Sequence, residues 1–290
     1  AVTRQEPQRW PAMAPSAGVR SAGAVSSSRH RVRTARGHEV AVLRERPPGA
    51  RGGGGEGDRE RVHVLCHGFN SSHMSSTLRA AARALHARGE STVSLDFSGN
   101  GASGGEWVFA GYAREADDLR AVAEWASAEC DMEVKSVIGH SKAGTVVTLF
   151  AGVDDLELPG GVPDLVILCG RFNMKEGLRE RLGDAYDDAV TNGSGIVTPN
   201  VGTPYTVTRA DILEREGLDS TAACARVRSR RALVVHGTAD EVIPYADAEL
   251  YERALPPSAG ARRVLIEGAD HRFSKHREEL GDAVAAFVCG

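Results

Sequence analysis

The segment Val137-Ile138-Gly139-His140-Ser141-Lys142-Ala143-Gly144 decides the fold. A short β-branched run, Val134–Ile138, ends against Gly139, and a helix-like stretch, Ala143–Ala151, begins two residues after Ser141. A strand that turns at once into a helix around a serine is a nucleophile elbow. The serine sits on a strained turn, and its hydroxyl projects from the carboxyl end of a sheet. The residues two before and two after must be small so that strand and helix can pack closely. Gly139 meets that requirement. Ala143 stands where glycine is more usual, and the glycine is displaced to Gly144. Alone, the pattern is only moderately specific, because such a string occurs by chance wherever a loop opens a helix.

Working outward, strand-like runs lie at Arg61–Cys66, Ser91–Asp96, Val134–Ile138, Leu165–Cys169, Ala232–His236 and Arg262–Ile266. Helix-like stretches fall between them, at Thr77–Arg88, Tyr112–Cys130, Ala143–Ala151, Ala246–Ala254 and Glu278–Val288. In the second of these, Leu119, Val122, Ala126 and Cys130 recur at helical spacing behind the acidic start Glu115, Asp117 and Asp118, which suits a helix N-terminus. Short apolar strands alternating with helices predict a mostly parallel sheet covered on both faces. Val32 and Thr34, then Gly37, then Val40 and Val42 read as an opening β-hairpin. Residues 47–58 form a glycine-rich connector with no Lys-Ser/Thr after it, and so no phosphate cradle. The alternation breaks between Cys169 and Ala232, a gap far above the usual connection of roughly 4–6 residues. Helix-like pieces at Lys175–Leu182 and Arg209–Glu216 flank a turn-rich middle, Thr191–Pro204, and the expectation is a lid insert at about 171–230, after the sixth strand. The domain is expected to span residues 29–290, behind a disordered leader at 1–28 rich in Ala, Ser, Pro and Arg.

Two of these strands lead to partners for Ser141. Ala232–His236 is followed by Gly237-Thr238-Ala239-Asp240-Glu241, and Arg262–Ile266 by Glu267-Gly268-Ala269-Asp270-His271. Serine, then acid, then histidine, each after a strand, is the chain order that this architecture requires. A serine hydroxyl is a poor nucleophile at neutral pH, so His271 is the candidate base and Asp240 the candidate that orients it. Asp270 and Glu241 are the rival acids, read as capping or solvated. The oxyanion that forms on attack needs backbone donors, assigned to Lys142 and to Phe69 in the loop His67-Gly68-Phe69-Asn70. The Lys142 side chain is expected in solvent. His63 and His67 share a strand face but lack a third ligand, so loop packing is preferred to a metal. His140 and His236 read as satisfied core or loop histidines. Cys66 ends a buried strand and lacks an elbow of its own.

The composition is that of an ordinary enzyme core: 41% hydrophobic, 26% charged and 5% aromatic over 290 residues. A formal net charge of −4 gives no reason to expect a nucleic-acid partner, and no apolar run reaches the length of a membrane span. A soluble enzyme is expected. Five cysteines, an odd number without C-x-x-C spacing, argue against a disulfide framework and for a reducing compartment. Cys66 and Cys169 read as small buried hydrophobes. The expected location is cytoplasmic, although an Arg- and Ser-rich leader poor in acids also fits a plastid or mitochondrial transit peptide.

Taken together, His67-Gly68-Phe69, the stretch Asp96–Gly104, the elbow, His236–Asp240 and Ala269–His271 resemble the α/β-hydrolases. The chain looks most like their serine-aminopeptidase-like branch, which includes cinnamoyl and feruloyl esterases, and especially its plant members. Tyr112–Leu119 and Gly170-Arg171-Phe172 strengthen that likeness, which spans roughly residues 29–288 and is weakest across the insert. The resemblance implies carboxylic ester hydrolysis through an acyl-enzyme on Ser141, with small hydroxycinnamoyl esters as substrates and neither cofactor nor metal. Trp107, Phe109, Tyr112 and Phe172 are candidates for an apolar acyl pocket, against the competing reading of ordinary core aromatics. Two alternatives stay open: a small-molecule receptor of the same fold with little turnover, and a peptidase or amidase.

Overall fold

The computed structural model describes residues 24–51, 59–199 and 203–290. Its strands are β1 (Ser26–Arg33), β2 (Glu39–Arg46), β3 (Glu60–Cys66), β4 (Ser91–Leu95), β5 (Met132–His140), β6 (Asp164–Leu168), β7 (Ser194–Val197), β8 (Tyr205–Thr208), β9 (Ala232–Gly237) and β10 (Arg262–Ile266). Its helices are α1 (Ser76–His86), α2 (Tyr112–Ala128), α3 (Lys142–Ala151), α4 (Leu178–Leu182), α5 (Asp184–Asn192), α6 (Arg209–Gly217), α7 (Ser220–Ala225), α8 (Ala246–Ala254) and α9 (Arg277–Cys289). Eight strands form one sheet in the order β1-β2-β4-β3-β5-β6-β9-β10. The β1–β2 hairpin joins it antiparallel, and every other neighbour is parallel.

Burial on both faces explains why the strands read as unbroken apolar runs rather than alternating ones. Val64, Val137, Leu165 and Val234 share one core with residues of α2, α3 and α8. Their chain neighbours Leu65, Ile138, Val166 and Val235 share the opposite core with α1 and α9. The strand order reverses at β3, which lies between β4 and β5. The loops that leave β3 and β5 therefore flank a topological switch point, where open α/β sheets place their ligands.

β1 begins at Ser26, so the last three residues of the expected leader are strand, paired with β2 from Ser26↔Arg46 onward. Residues 1–23 of that leader lie outside the described residues, as do 52–58 of the glycine-rich connector and 200–202 of the turn-rich middle. The segment between β6 and β9 folds as α4, α5, a β7–β8 hairpin, α6 and α7. The expected turn-rich middle thus opens with the end of α5 and strand β7, which pairs with β8 just beyond it, Ser194↔Thr208 closing the ladder. Thr208 and Asp211 form a reciprocal capping box at the start of α6. Among the described residues, no helix is long and apolar enough to cross a membrane.

Candidate active site

Ser141 stands between the end of β5 and the start of α3 with φ 59° and ψ −119°, a backbone that a residue with a side chain adopts only under constraint. The constraint is visible in the packing. A methyl group on Gly139 would meet the Ala143 carbonyl at 2.2 Å, so only glycine lets the strand turn this tightly. At Gly144 it would lie 2.9 Å from Gly170 Cα, so the displaced glycine sets how closely α3 approaches the end of β6. Ala143, wholly buried, needs no such freedom.

The loops after β9 and β10 bring two side chains to this serine. His271 Nε2 lies 3.0 Å from Ser141 Oγ, and His271 Nδ1 lies 2.8 Å from Asp240 Oδ2. Asp240 also accepts the backbone N–H groups of Val242 and Ile243, both at 2.8 Å. His236 Nε2 stands 3.1 Å from its carboxylate. Burial pushes the Asp240 carboxyl up, but its bonds with His236, His271 and the Ile243 N–H outweigh this and hold it far below the usual carboxylate range. His140 is bonded through Nε2 to the His271 carbonyl at 2.9 Å and tethers the His271 backbone. Burial lowers it to about 4, so it is neutral. The rival Asp270 instead accepts Arg272 N and Ser274 N at 3.0 and 2.8 Å within its own turn.

Cys169, with φ 47°, puts its thiol beside this group. Its Sγ, an Asp240 oxygen and a His271 nitrogen lie within 4.8 Å of one another, the one cluster of metal-binding dimensions among the described residues. The donor set fits a metal poorly. Asp240 and His271 are already bonded to each other, and burial pushes the thiol well up, whereas a zinc site needs thiolate. Cys169 is more than a buried hydrophobe, since it packs against the Asp240 carboxylate.

The N–H groups of Phe69 and Lys142 have no acceptor among the described residues. Gly68 holds their loop against the serine, since a methyl group there would meet Ser141 Cβ at 3.0 Å. His67 fixes the same loop, its Nδ1 bonded to the Gly68 carbonyl at 2.8 Å and its Nε2 accepting Phe97 N at 3.0 Å. Burial lowers His67 to about 4, which leaves Nε2 free to accept. His63 is spent on Ser136 and Glu90 and contributes nothing here.

The Lys142 side chain is not in solvent. It is buried, and its Nζ donates to Glu115 Oε1 at 2.7 Å. The acids at the start of α2 consequently do more than face a helix end: Asp118 accepts Ser98 N and pairs with Arg36 at 2.6 Å, and Asp117 pairs with Arg36 at 3.0 Å.

Two cavities meet at Ser141. One, of about 30 Å³, is lined by Phe69, Phe109, Tyr112, Thr145 and three arginines from the β6–β9 segment, Arg171, Arg181 and Arg215. The other, of about 490 Å³, is lined by Gly68, Ser75, Thr77, His140, His271 and Arg272. Of the expected pocket aromatics, Phe109 and Tyr112 line the small cavity. Trp107 and Phe172 line neither. Trp107 packs edge-on behind Phe69 and Tyr205, and Phe172 packs edge-on against Tyr251, its N–H held by Asp247 at 2.8 Å. Sequence reasoning does not single out Tyr205 or the arginines: helical spacing places Arg181 and Arg215 on helix-like pieces of the insert but does not say which face meets the serine. The available signal is the run of arginines in this segment, Arg171, Arg179, Arg181 and Arg215.

A parallel sheet with its serine on an elbow at the switch point, and with an acid and a histidine on later strand ends, defines an α/β serine hydrolase. Residues 57–188 match the family model of the serine aminopeptidase family S33, a span that includes Ser141 and stops short of Asp240 and His271. Est1E from Butyrivibrio proteoclasticus, solved with ferulic acid bound, superposes with a TM-score of 0.72 at 18% identity, over 90% of this chain and 98% of that one. The esterase domain of a Rhodothermus marinus protein gives 0.62 at 22% identity, over 91% and 99%. Esterase Pf2001 of Pyrococcus furiosus gives 0.64 at 13%, over 91% and 90%. No curated protein matches the chain in sequence. At these identities the structural neighbours establish the fold; with the family match they support an α/β-hydrolase of the serine-aminopeptidase-like branch.

Proposed function

We propose that the chain hydrolyses carboxylic esters through an acyl-enzyme on Ser141, with His271 as general base and acid and Asp240 as its orienting partner. The observation that carries this reading is the continuous chain from Ser141 Oγ to His271 Nε2 at 3.0 Å and from His271 Nδ1 to Asp240 at 2.8 Å, built on the elbow. Asp240 stays ionised and selects the tautomer with a proton on Nδ1, which leaves Nε2 to take the serine proton. The free N–H groups of Phe69 and Lys142 receive the oxyanion. His271 returns the proton to the departing alkoxide, so the leaving alcohol occupies the larger cavity, which His271 lines. The acyl group then lies in the smaller one. Water, activated by His271, adds to the acyl carbonyl and releases the acid.

A cavity of about 30 Å³ favours short acyl groups, since ligand pockets run to roughly 300–1,000 Å³. The hydroxycinnamoyl group that the family resemblance implies requires Arg181 and Phe69 to move aside. Fluorophosphonate labelling, with p-nitrophenyl acetate and butyrate turnover, tests the reading. Ser141→Ala should lose labelling and at least about 10³-fold in turnover, because triad members act as a unit. A labelled Ser141→Ala variant overturns the assignment. Labelling of the native chain without ester turnover would favour a receptor or an amidase.

A further inference from the structure

The three arginines beside Ser141 have no carboxylate within ion-pair distance among the described residues. Arg215 is only 4% exposed, yet its Nε donates to the Met174 carbonyl at 2.9 Å and its Nη2 reaches only the Glu176 carbonyl, at 3.5 Å. Arg171 donates to the carbonyls of Glu176 and Val242. Arg181 lies over the Phe69 ring, 4.3 Å from its centroid. The nearby acids make their hydrogen bonds elsewhere, Glu115 to Lys142, Glu214 to Tyr112 N, Glu216 to the Tyr186 hydroxyl and Asp247 to Phe172 N. Asp247 and Glu216 act on Arg171 and Arg215 only from beyond ion-pair distance, while Glu176 offers them its carbonyl. A buried guanidinium whose hydrogen bonds all go to carbonyls is incompletely compensated, and an anion in the cavity would complete it.

We propose that the acyl group of the substrate ends in a carboxylate received by Arg215, Arg171 and Arg181, so that the enzyme cleaves half-esters of short dicarboxylic acids. This rests on the reading of Ser141 as nucleophile. Size and charge agree: the small cavity admits a chain of few carbons, and a planar carboxylate matches the guanidinium fork. Arg181 lines both cavities and Arg272 lines the larger one with His271 and Glu241; Arg171 and the buried Arg215 line the small cavity only, which puts the anion on the acyl side. Hydrolysis consumes one water and yields the alcohol and a dicarboxylate.

The experiment compares kcat/KM for mono-p-nitrophenyl succinate with that for p-nitrophenyl butyrate, after subtraction of spontaneous hydrolysis. The half-ester should be preferred by about tenfold or more at low salt, and the preference should shrink in about 0.5 M NaCl, where exposed charges are screened. Arg215→Met and Arg181→Gln should each pull the ratio towards one. Arg179→Gln, on the same short helix but paired with Asp187 outside the cavity, should leave the ratio unchanged. Free succinate should also slow fluorophosphonate labelling, and butyramide should not. If Arg215→Met does not fold, the exposed Arg181 still carries the test. Labelling and butyrate turnover with a ratio of one or below, or a ratio that Arg179→Gln lowers equally, overturns the proposal and leaves the esterase reading intact. Absence of both labelling and turnover overturns the esterase reading itself.

Discussion

The loops at the sheet's carboxyl edge and the segment between β6 and β9 meet at the same serine, but they are held by different means. In the loops, each important side chain has a second, buried partner: His236 behind Asp240, His140 behind His271, and His67 behind the Phe69 turn. The insert is joined to the body by three carboxylates, Asp211 on Ala110 N at 3.0 Å, Glu214 on Tyr112 N at 2.9 Å and Asp247 on Phe172 N at 2.8 Å, and by apolar residues such as Leu178, Val207 and Ile212 that share the core, while its arginines rest on carbonyls. One region fixes its polar side chains with further buried side chains, which suits a group that must hold sub-ångström geometry; the other is held by apolar packing and leaves its arginines on carbonyls, which suits a surface that admits and selects.

The strongest test of that contrast exchanges the two acids near His271. Asp240→Asn should fold, since asparagine is nearly isosteric, and lose on the order of 10³–10⁴ in turnover because an amide neither stabilises the imidazolium nor enforces the tautomer. Asp270→Asn should lose less than about tenfold, as its carboxylate only closes its own turn. Ester kinetics at matched thermal stability decide the matter. The reverse ranking would move the orienting acid to Asp270 and undo the view that the loops after β9 and β10 act together.

A subtler test lies where the two regions touch. Glu115 accepts Lys142 Nζ, while its Oε2 finds no partner. Burial pushes its carboxyl up to about 7; Lys142 opposes this, and Asp118 and Glu214 add to it. An acid whose folded pKa lies above its unfolded value stabilises the fold fully below the unfolded value, near 4.5, and that contribution is lost as pH rises through about 7. Relative to wild type, Glu115→Gln should therefore gain stability between those pH values, by on the order of 2 kcal/mol across the window. Urea unfolding at stepped pH measures it. A constant difference, or one that grows in favour of wild type, would mean that Lys142 wins over burial.

How much of this was legible in the sequence follows from the same contrast. The buried apolar runs before Ser141 and Asp240 announce themselves, the exposed edge strand before His271 reads through Val264-Leu265-Ile266, and the loops that follow a parallel strand end can lie only at one edge of the sheet. Ser141, Asp240 and His271 were therefore readable as neighbours although up to 130 residues separate them. The Lys142–Glu115 pair was not. It joins α2 and α3 side by side, and nothing in the spacing of 27 residues distinguishes it from a lysine in solvent. Phe172 and Trp107 misled because proximity to a motif in sequence does not set a ring's direction; Tyr251 and Tyr205 do. Tyr205 reaches Phe69 from a hairpin whose strands are four residues each, too short for a period to show.

The smallest expected effect concerns the seam itself. Asp211 is 6% exposed and serves three donors: the Thr208 N–H at 2.9 Å and hydroxyl at 2.6 Å within the capping box, and Ala110 N at 3.0 Å in the core. Asp211→Ala removes the N3 half of the capping box, leaving the Thr208 cap, and strands the Ala110 N–H, which should cost about 1–2 kcal/mol and lower Tm by a few degrees. Asp211→Asn keeps one acceptor oxygen and should recover part of the loss. Because Asp211 touches no residue of the proposed triad, fluorophosphonate labelling of Ser141 should survive, while the preference among acyl groups should broaden as α6 and Arg215 lose their anchor. Ester panels and labelling rates measured on the same variant separate the two regions. If labelling falls in step with Tm while the acyl preference stays fixed, the insert and the loops around Ser141 unfold as one unit, and the separate role inferred for the insert is wrong.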